Sequence, residues 1–151
     1  MRLRMIPLRK FLLVVLVCVL SLTGCGRLFG GLFGEDRAFG FPCDEFIERQ
    51  HMSLEEQSLS VDADFSIELC SNPSTGFQWL NPVQISDEAV VRQTNHELNL
   101  PSTDIPGDTG HEIWIFEAQN QGVVTISTQY SQPWEGGEKN KWTFVATIAV
   151  E

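Results

Sequence analysis

The stretch His111-Glu112-Ile113-Trp114-Ile115-Phe116-Glu117-Ala118-Gln119-Asn120-Gln121-Gly122-Val123-Val124-Thr125-Ile126-Ser127-Thr128-Gln129-Tyr130 decides the fold. Its first part, to Ala118, is rich in isoleucine and aromatic residues, which favour a pleated surface. Apolar side chains fall on both faces of that run, which predicts a central strand. Gln119 to Gly122 reads as a hairpin turn. From Val123 the pattern alternates: Val124, Ile126 and Tyr130 share one face, and Thr125, Ser127 and Gln129 the other. Two such runs joined by a tight turn predict an antiparallel pair.

Outward from this hairpin, the same period of two recurs. Phe65-Ser66-Ile67-Glu68-Leu69 alternates, with Cys70 pointing away from the Phe65/Ile67/Leu69 face. Phe77 to Leu80 and Ala89 to Gln93 read as short strands, and residues 95–110 as loop. Ser131 to Asn140 is a second loop. Trp142, Phe144, Ala146, Ile148 and Val150 then alternate with polar residues. A further strand is expected around 52–61. No amphipathic helical stretch of useful length follows residue 24. The expected fold is therefore all-β, an immunoglobulin-like antiparallel sandwich of about seven strands over 44–151. Its core is expected to rest on Trp79, Trp114, Phe116, Trp142 and Phe144. In such a sandwich, loops separated by two strands emerge at the same end.

The N-terminus is of another kind. Arg2, Arg4, Arg9 and Lys10 precede an apolar run from Phe11 to Leu20, too short to span a bilayer but suited to a secretory signal. Leu22-Thr23-Gly24-Cys25 resembles a bacterial lipobox. That resemblance implies a signal peptide over 1–24, cleavage before Cys25, and lipid on Cys25. The chain would then be anchored in a bacterial cell envelope, facing periplasm or exterior. Residues 25–43, with Leu28-Phe29-Gly30, Leu32-Phe33-Gly34 and Phe39-Gly40-Phe41-Pro42, read as a flexible tether in which glycine defeats helix.

Residues 1–24 hold four of the ten basic residues and none of the twenty acidic ones, so from Cys25 onward six basic residues face twenty acidic and the net charge is −14. Nucleic acid is excluded as a partner, because phosphate binding needs a basic footprint. With Cys18 in the signal and Cys25 lipidated, Cys43 and Cys70 remain, and an exported compartment favours a disulfide between them. Neither a CxxC spacing nor a histidine nearby in sequence gives a zinc signature, and no metal or cofactor is expected. His111 and Glu112, adjacent on a strand, face opposite ways and do not make a shared metal site. No GxSxG or P-loop motif points to an enzyme.

Three loops stand out. Asn72-Pro73-Ser74-Thr75-Gly76-Phe77 has a proline that restricts Asn72 to extended backbone and a glycine free to take positive φ. Gly107-Asp108-Thr109-Gly110 precedes the aromatic strand, and Gln132-Pro133-Trp134 places a large aromatic in a glycine-rich loop. By order and spacing, over roughly residues 52–151, these motifs resemble the chagasin family of cysteine peptidase inhibitors. The resemblance implies an immunoglobulin-like fold whose three loops form a wedge entering the active-site cleft of papain-like cysteine peptidases. Asn72 to Gly76 would occupy the catalytic centre, with Ser74 and Thr75 closest and Pro73 and Phe77 holding the shape. Gly107 to Gly110 and Gln132 to Trp134 would be the flanks. The family's third motif usually has Arg where this chain has Gln132, which removes a charged contact. The inhibitor is expected to act reversibly and as a monomer. The alternative is a membrane-anchored immunoglobulin-like module that binds another envelope or extracellular protein.

Overall fold

In the computed structural model, residues 37–46, 48–100 and 107–151 are described. The expected signal peptide, the expected lipidation site Cys25, the expected tether up to residue 36 and the middle of the second loop lie outside them. The strands are β1 (Arg37–Gly40), β2 (His51–Leu59), β3 (Asp64–Ser71), β4 (Gln78–Trp79), β5 (Gln84–Ile85), β6 (Val91–Asn99), β7 (Gly110–Ala118), β8 (Gly122–Ser131) and β9 (Trp142–Val150). One sheet has the order β1-β3-β7-β6, and the other β2-β9-β8-β4, with β5 also paired to β8. The expected sandwich is present. Consecutive strands β7 and β8 lie in different sheets, so the sequence hairpin is a corner of the sandwich rather than a hydrogen-bonded pair. Within the first sheet β7 is central, between β3 and β6.

The period of two in each strand builds the core. Phe65, Ile67 and Leu69 of β3 face inward with Trp114, Phe116 and Ala118 of β7. Val124, Ile126 and Tyr130 of β8, with Phe144, Ala146, Ile148 and Val150 of β9, supply the opposing layer. Phe65 and Phe116 are register partners and their rings stack at 5.0 Å. Each fully buried side chain of this size contributes roughly 1.5–3 kcal/mol, so these two inner faces dominate stability. Trp79, Trp114, Phe116 and Phe144 are buried as the pattern predicts, and Trp142 is partly so. Tyr130 and Phe46 belong with them.

Three departures from the sequence reading have physical causes. First, β6 continues to Asn99, where a loop was expected from residue 95. After Val91 the run is polar and mostly exposed, because β6 is an edge strand; its backbone ladder with β7 holds it, and a register shift between Gln93 and Asn95 breaks the side-chain alternation. Second, both sheets are mixed rather than purely antiparallel: β1 pairs parallel with β3, and β2 with β9.

Third, the last part of the expected tether is structured. Arg37–Gly40 is a strand, and Cys43–Phe46 forms a single helical turn, α1. Phe39 packs edge-on against Phe65 (6.1 Å) and Phe41 against Phe144 (6.1 Å). Gly40 serves close approach, since a Cβ there would lie 2.6 Å from the Glu68 carbonyl oxygen. The segment 37–46 is thus a strap across the sandwich. Cys43 and Cys70 form a disulfide with Cα atoms 5.4 Å apart that fastens the strap's end. A loop of this length is stabilised by roughly 3–4 kcal/mol on the chain-entropy model. Cys70 lies on the outer face of β3, as alternation predicts, yet is only 2% exposed; the strap covers it.

The docking of β1 is testable. Gly40→Ala should lower unfolding free energy by about 1–3 kcal/mol, the usual cost of forcing an extra carbon into packed surroundings, as read by urea denaturation. An unchanged midpoint would mean that β1 does not lie against β3.

Candidate functional site

The first loop is shaped by its own side chains. Asn72, in the extended backbone that Pro73 demands (φ −127°, ψ 86°), caps a single 3₁₀ turn over Pro73–Thr75. Asn72 Oδ1 accepts from both the backbone N–H and the hydroxyl of Ser74. The Thr75 hydroxyl donates to the Asn72 carbonyl at 2.6 Å, and the Thr75 N–H reaches the same oxygen at 3.1 Å. Gly76 closes the turn at φ 77°, with its N–H donating to Pro73 O at 3.0 Å. Pro73, Ser74 and Thr75 are exposed at the tip. The Ser74 and Thr75 hydroxyl hydrogens are turned back into the loop, so an outside partner meets the two hydroxyl oxygens and the Thr75 methyl group.

The base of this loop is tied to the core by Tyr130. The Asn72 N–H donates to the Tyr130 hydroxyl at 2.7 Å, and Phe77 stacks on the Tyr130 ring at 5.5 Å. Tyr130 is 2% exposed and also meets Phe46 (5.5 Å), Trp79 (4.9 Å) and Trp142 (5.8 Å). Trp79 Nε1 donates to Cys70 O and Trp142 Nε1 to Phe46 O, so both indoles are satisfied. Beneath the loop, Ser71 donates to the carboxylate of Glu112 at 2.7 Å, and His96 Nε2 lies 3.0 Å from the other carboxylate oxygen. Glu112 is only 6% exposed, and its two partners compensate a buried charge. The sequence reading missed this trio because its members come from three strands.

The other two loops are joined to the first. Asn72 Nδ2 donates to the Gly107 carbonyl at 2.9 Å. Gly107 takes φ 89°, with no described residue within 4 Å of where a Cβ would stand, and Asp108 accepts from the Thr109 N–H. Gly110 stands apart from these: it is the buried first residue of β7, where a Cβ would strike the backbone of Asn99. It fixes strand approach rather than offering a surface.

On the other flank, the Trp134 ring lies over Gly76, so close that a Cβ on Gly76 would sit 2.5 Å from Trp134 Cη2. Trp134 remains 49% exposed. Lys139 Nζ donates to the carbonyls of Gln132 and Trp134 and draws the third loop together. Gln132 accepts from the Glu138 N–H through Oε1 at 3.0 Å, and its own N–H donates to Glu138 O at 2.8 Å. Arginine has no acceptor and could not make the first of these bonds. Gln132 thus braces the loop from within. The structure brings Asn72 to Phe77, Gly107 and Gln132 to Trp134 into one connected surface.

The family model for the Chagasin family peptidase inhibitor I42 matches residues 58–148, and the chain belongs to that family. It is accordingly an inhibitor and not an enzyme. No curated protein matches the chain. Among solved structures, it is similar to the cysteine protease inhibitor EhICP2 from Entamoeba histolytica, with TM-score 0.58 and 18% identity over 78% of this chain and 98% of that one. It is also similar to PbICP-C, solved in complex with falcipain-2, with TM-score 0.54 and 17% identity over 76% and 99% of the two chains. At these identities the likeness is one of fold.

The seat of Trp134 on Gly76 gives a direct check. Gly76→Ala combines a positive φ, costing about 1–2 kcal/mol for a residue with Cβ, with a clash against the indole. Trp134 should swing outward, and acrylamide quenching of tryptophan fluorescence should rise. Unchanged quenching would show that the ring does not rest there.

Proposed function

We propose that this chain is a reversible inhibitor of papain-like cysteine peptidases and that the three joined loops enter the active-site cleft as a wedge. The observation that carries the reading is the locking of the loops before any partner arrives. Asn72 binds Gly107 and Tyr130, and Trp134 covers Gly76. A surface already held in shape loses little conformational entropy on binding. Trp134 offers a rigid aromatic area suited to a cleft wall. The tip hydroxyls, engaged internally, keep the backbone of Ser74 and Thr75 in a closed turn. An extended substrate strand would have to present its scissile carbonyl to the thiolate in line. A turn braced in this way withholds that geometry and so resists cleavage. The fold shared with PbICP-C, a protein solved in complex with falcipain-2, supports this choice of target.

Papain titrated with the protein should lose activity stoichiometrically and regain it on dilution, with the first loop intact by mass spectrometry. Full papain activity at micromolar protein would overturn the reading. Trp134→Ala should raise the inhibition constant about 30-fold, matching a 2 kcal/mol anchor, with little change in melting temperature. Parallel loss of stability and inhibition would instead make Trp134 structural.

The N-terminal pattern supports a membrane-anchored inhibitor, with signal cleavage before Cys25 and lipid on Cys25, acting as a monomer on the outer side of a bacterial membrane. A bacterial host fed labelled palmitate should incorporate label into the wild-type chain and none into Cys25→Ser. Label-free, soluble wild-type protein would point to an ordinary secretory signal.

A further inference from the structure

The register of β3 and β7 sets Cys70 opposite His111 on the outer face of the first sheet. The strap brings Cys43 to the same spot, and His111 Nε2 lies 3.0 Å from Cys43 Sγ. The two sulfurs and an imidazole nitrogen of His111 all lie within 4.8 Å of one another. The other ring nitrogen, Nδ1, is 3.7 Å from a carboxylate oxygen of Glu68, two residues before Cys70 on the same face. Nothing in the inhibitory surface uses this group.

We propose that, when the Cys43–Cys70 disulfide is reduced, the two cysteines and His111 form a binding site for a thiophilic divalent cation of the zinc class. Two thiolates and one imidazole are a donor set that such ions prefer over harder cations. Tetrahedral bonds of about 2.3 Å to sulfur and 2.0 Å to nitrogen hold the ligand atoms roughly 3.5–4 Å apart. His111 Nε2, 3.0 Å from Cys43 Sγ, has to draw back by about half an ångström to reach that spacing. The sulfurs reach it by small side-chain rotations once their bond is broken. Glu68 has a carboxylate oxygen 3.7 Å from Nδ1, longer than a hydrogen bond as it stands, and a small turn of the ring would let it take the Nδ1–H and leave Nε2 free to ligate. Three protein ligands leave the fourth position to water. Cys43 and His111 are partly exposed, so an ion can enter from solvent, while Cys70 is buried beneath the strap.

The chemistry balances. A dithiol reductant gives two electrons and two protons to the disulfide and becomes a disulfide itself, leaving two thiols. The cation then displaces the two thiol protons as the thiolates ligate. The strap therefore has two alternative fasteners: a covalent one when oxidised and a metal one when reduced. The sequence reading set zinc aside for want of a histidine near the cysteines. In sequence that is correct, and the β3–β7 pairing removes the separation.

The test uses the full chain in mild detergent, carrying Cys18→Ser and Cys25→Ser so that only two thiols remain. Reduced protein titrated with Co²⁺ should develop the near-ultraviolet thiolate charge-transfer band and the visible bands of a tetrahedral site. Zn²⁺ should displace Co²⁺ and raise the melting temperature of the reduced form. The oxidised protein should do neither. His111→Ala should weaken Co²⁺ binding by more than the ~10–100-fold that losing an outer hydrogen-bond partner of a ligand costs, while its oxidised form melts near wild type. Cys43→Ser, a second variant, should lose at least half of the charge-transfer intensity, since only the Cys70 thiolate remains, and should bind Co²⁺ more weakly. A reduced chain without the band, equal binding by the oxidised chain, or full-strength binding by both variants would overturn the proposal.

Discussion

The hydroxyl of Tyr130 is the point on which the loop pole depends. Its ring is packed among Phe46, Phe77, Trp79 and Trp142, and its oxygen accepts the backbone N–H of Asn72. A phenol buried among aromatics needs a partner for its polar end. Here the partner is the first residue of the Asn72–Phe77 loop. The core and the proposed inhibitory surface therefore share one side chain, and the loop cannot shift without stranding a buried hydroxyl. From Asn72 the constraint spreads through its side chain to Gly107, and through the turn to Gly76 and so to Trp134. Rigidity at the tip is inherited from the sandwich.

At the N-terminal side, the sandwich needs its edge strand and its aromatic cluster completed. Residues 37–46 serve that need. Phe46 stacks on Trp142 at 5.1 Å and touches both Trp79 and Tyr130. The strap thus reaches the same aromatic cluster that supports the Asn72–Phe77 loop. Its disulfide holds it at Cys70, one residue before Ser71, whose hydroxyl binds buried Glu112. Strap, buried carboxylate and first loop meet at the end of one strand, β3.

Gln132 shows how a substitution at a family motif can be read. As sequence, it is a missing charge. In the structure its acceptor oxygen closes the third loop, while Lys139 supplies a positive charge to the carbonyls of Gln132 and Trp134. The loop keeps a defined shape by internal hydrogen bonds, and the cation that organises it comes from within the same loop.

Local pattern in the sequence was enough for the inward faces of four strands, most of the core and the three loop motifs. Alternation with period two in β3, β7, β8 and β9 assigns inward and outward faces without reference to partners, because each side chain's face follows from its own backbone. The three loop motifs were legible for the same reason: proline, glycine and asparagine act on the residues beside them. Whatever depends on pairing between strands is settled in the folded chain alone. The polar edge strand β6 is held by hydrogen bonds to β7 that leave no hydrophobic period. The strap's glycine is read as slack until Glu68 lies against it. Ser71, His96 and Glu112, like Cys43, Cys70 and His111, become neighbours through strand register. Register is a relation between distant segments, and no local pattern records it.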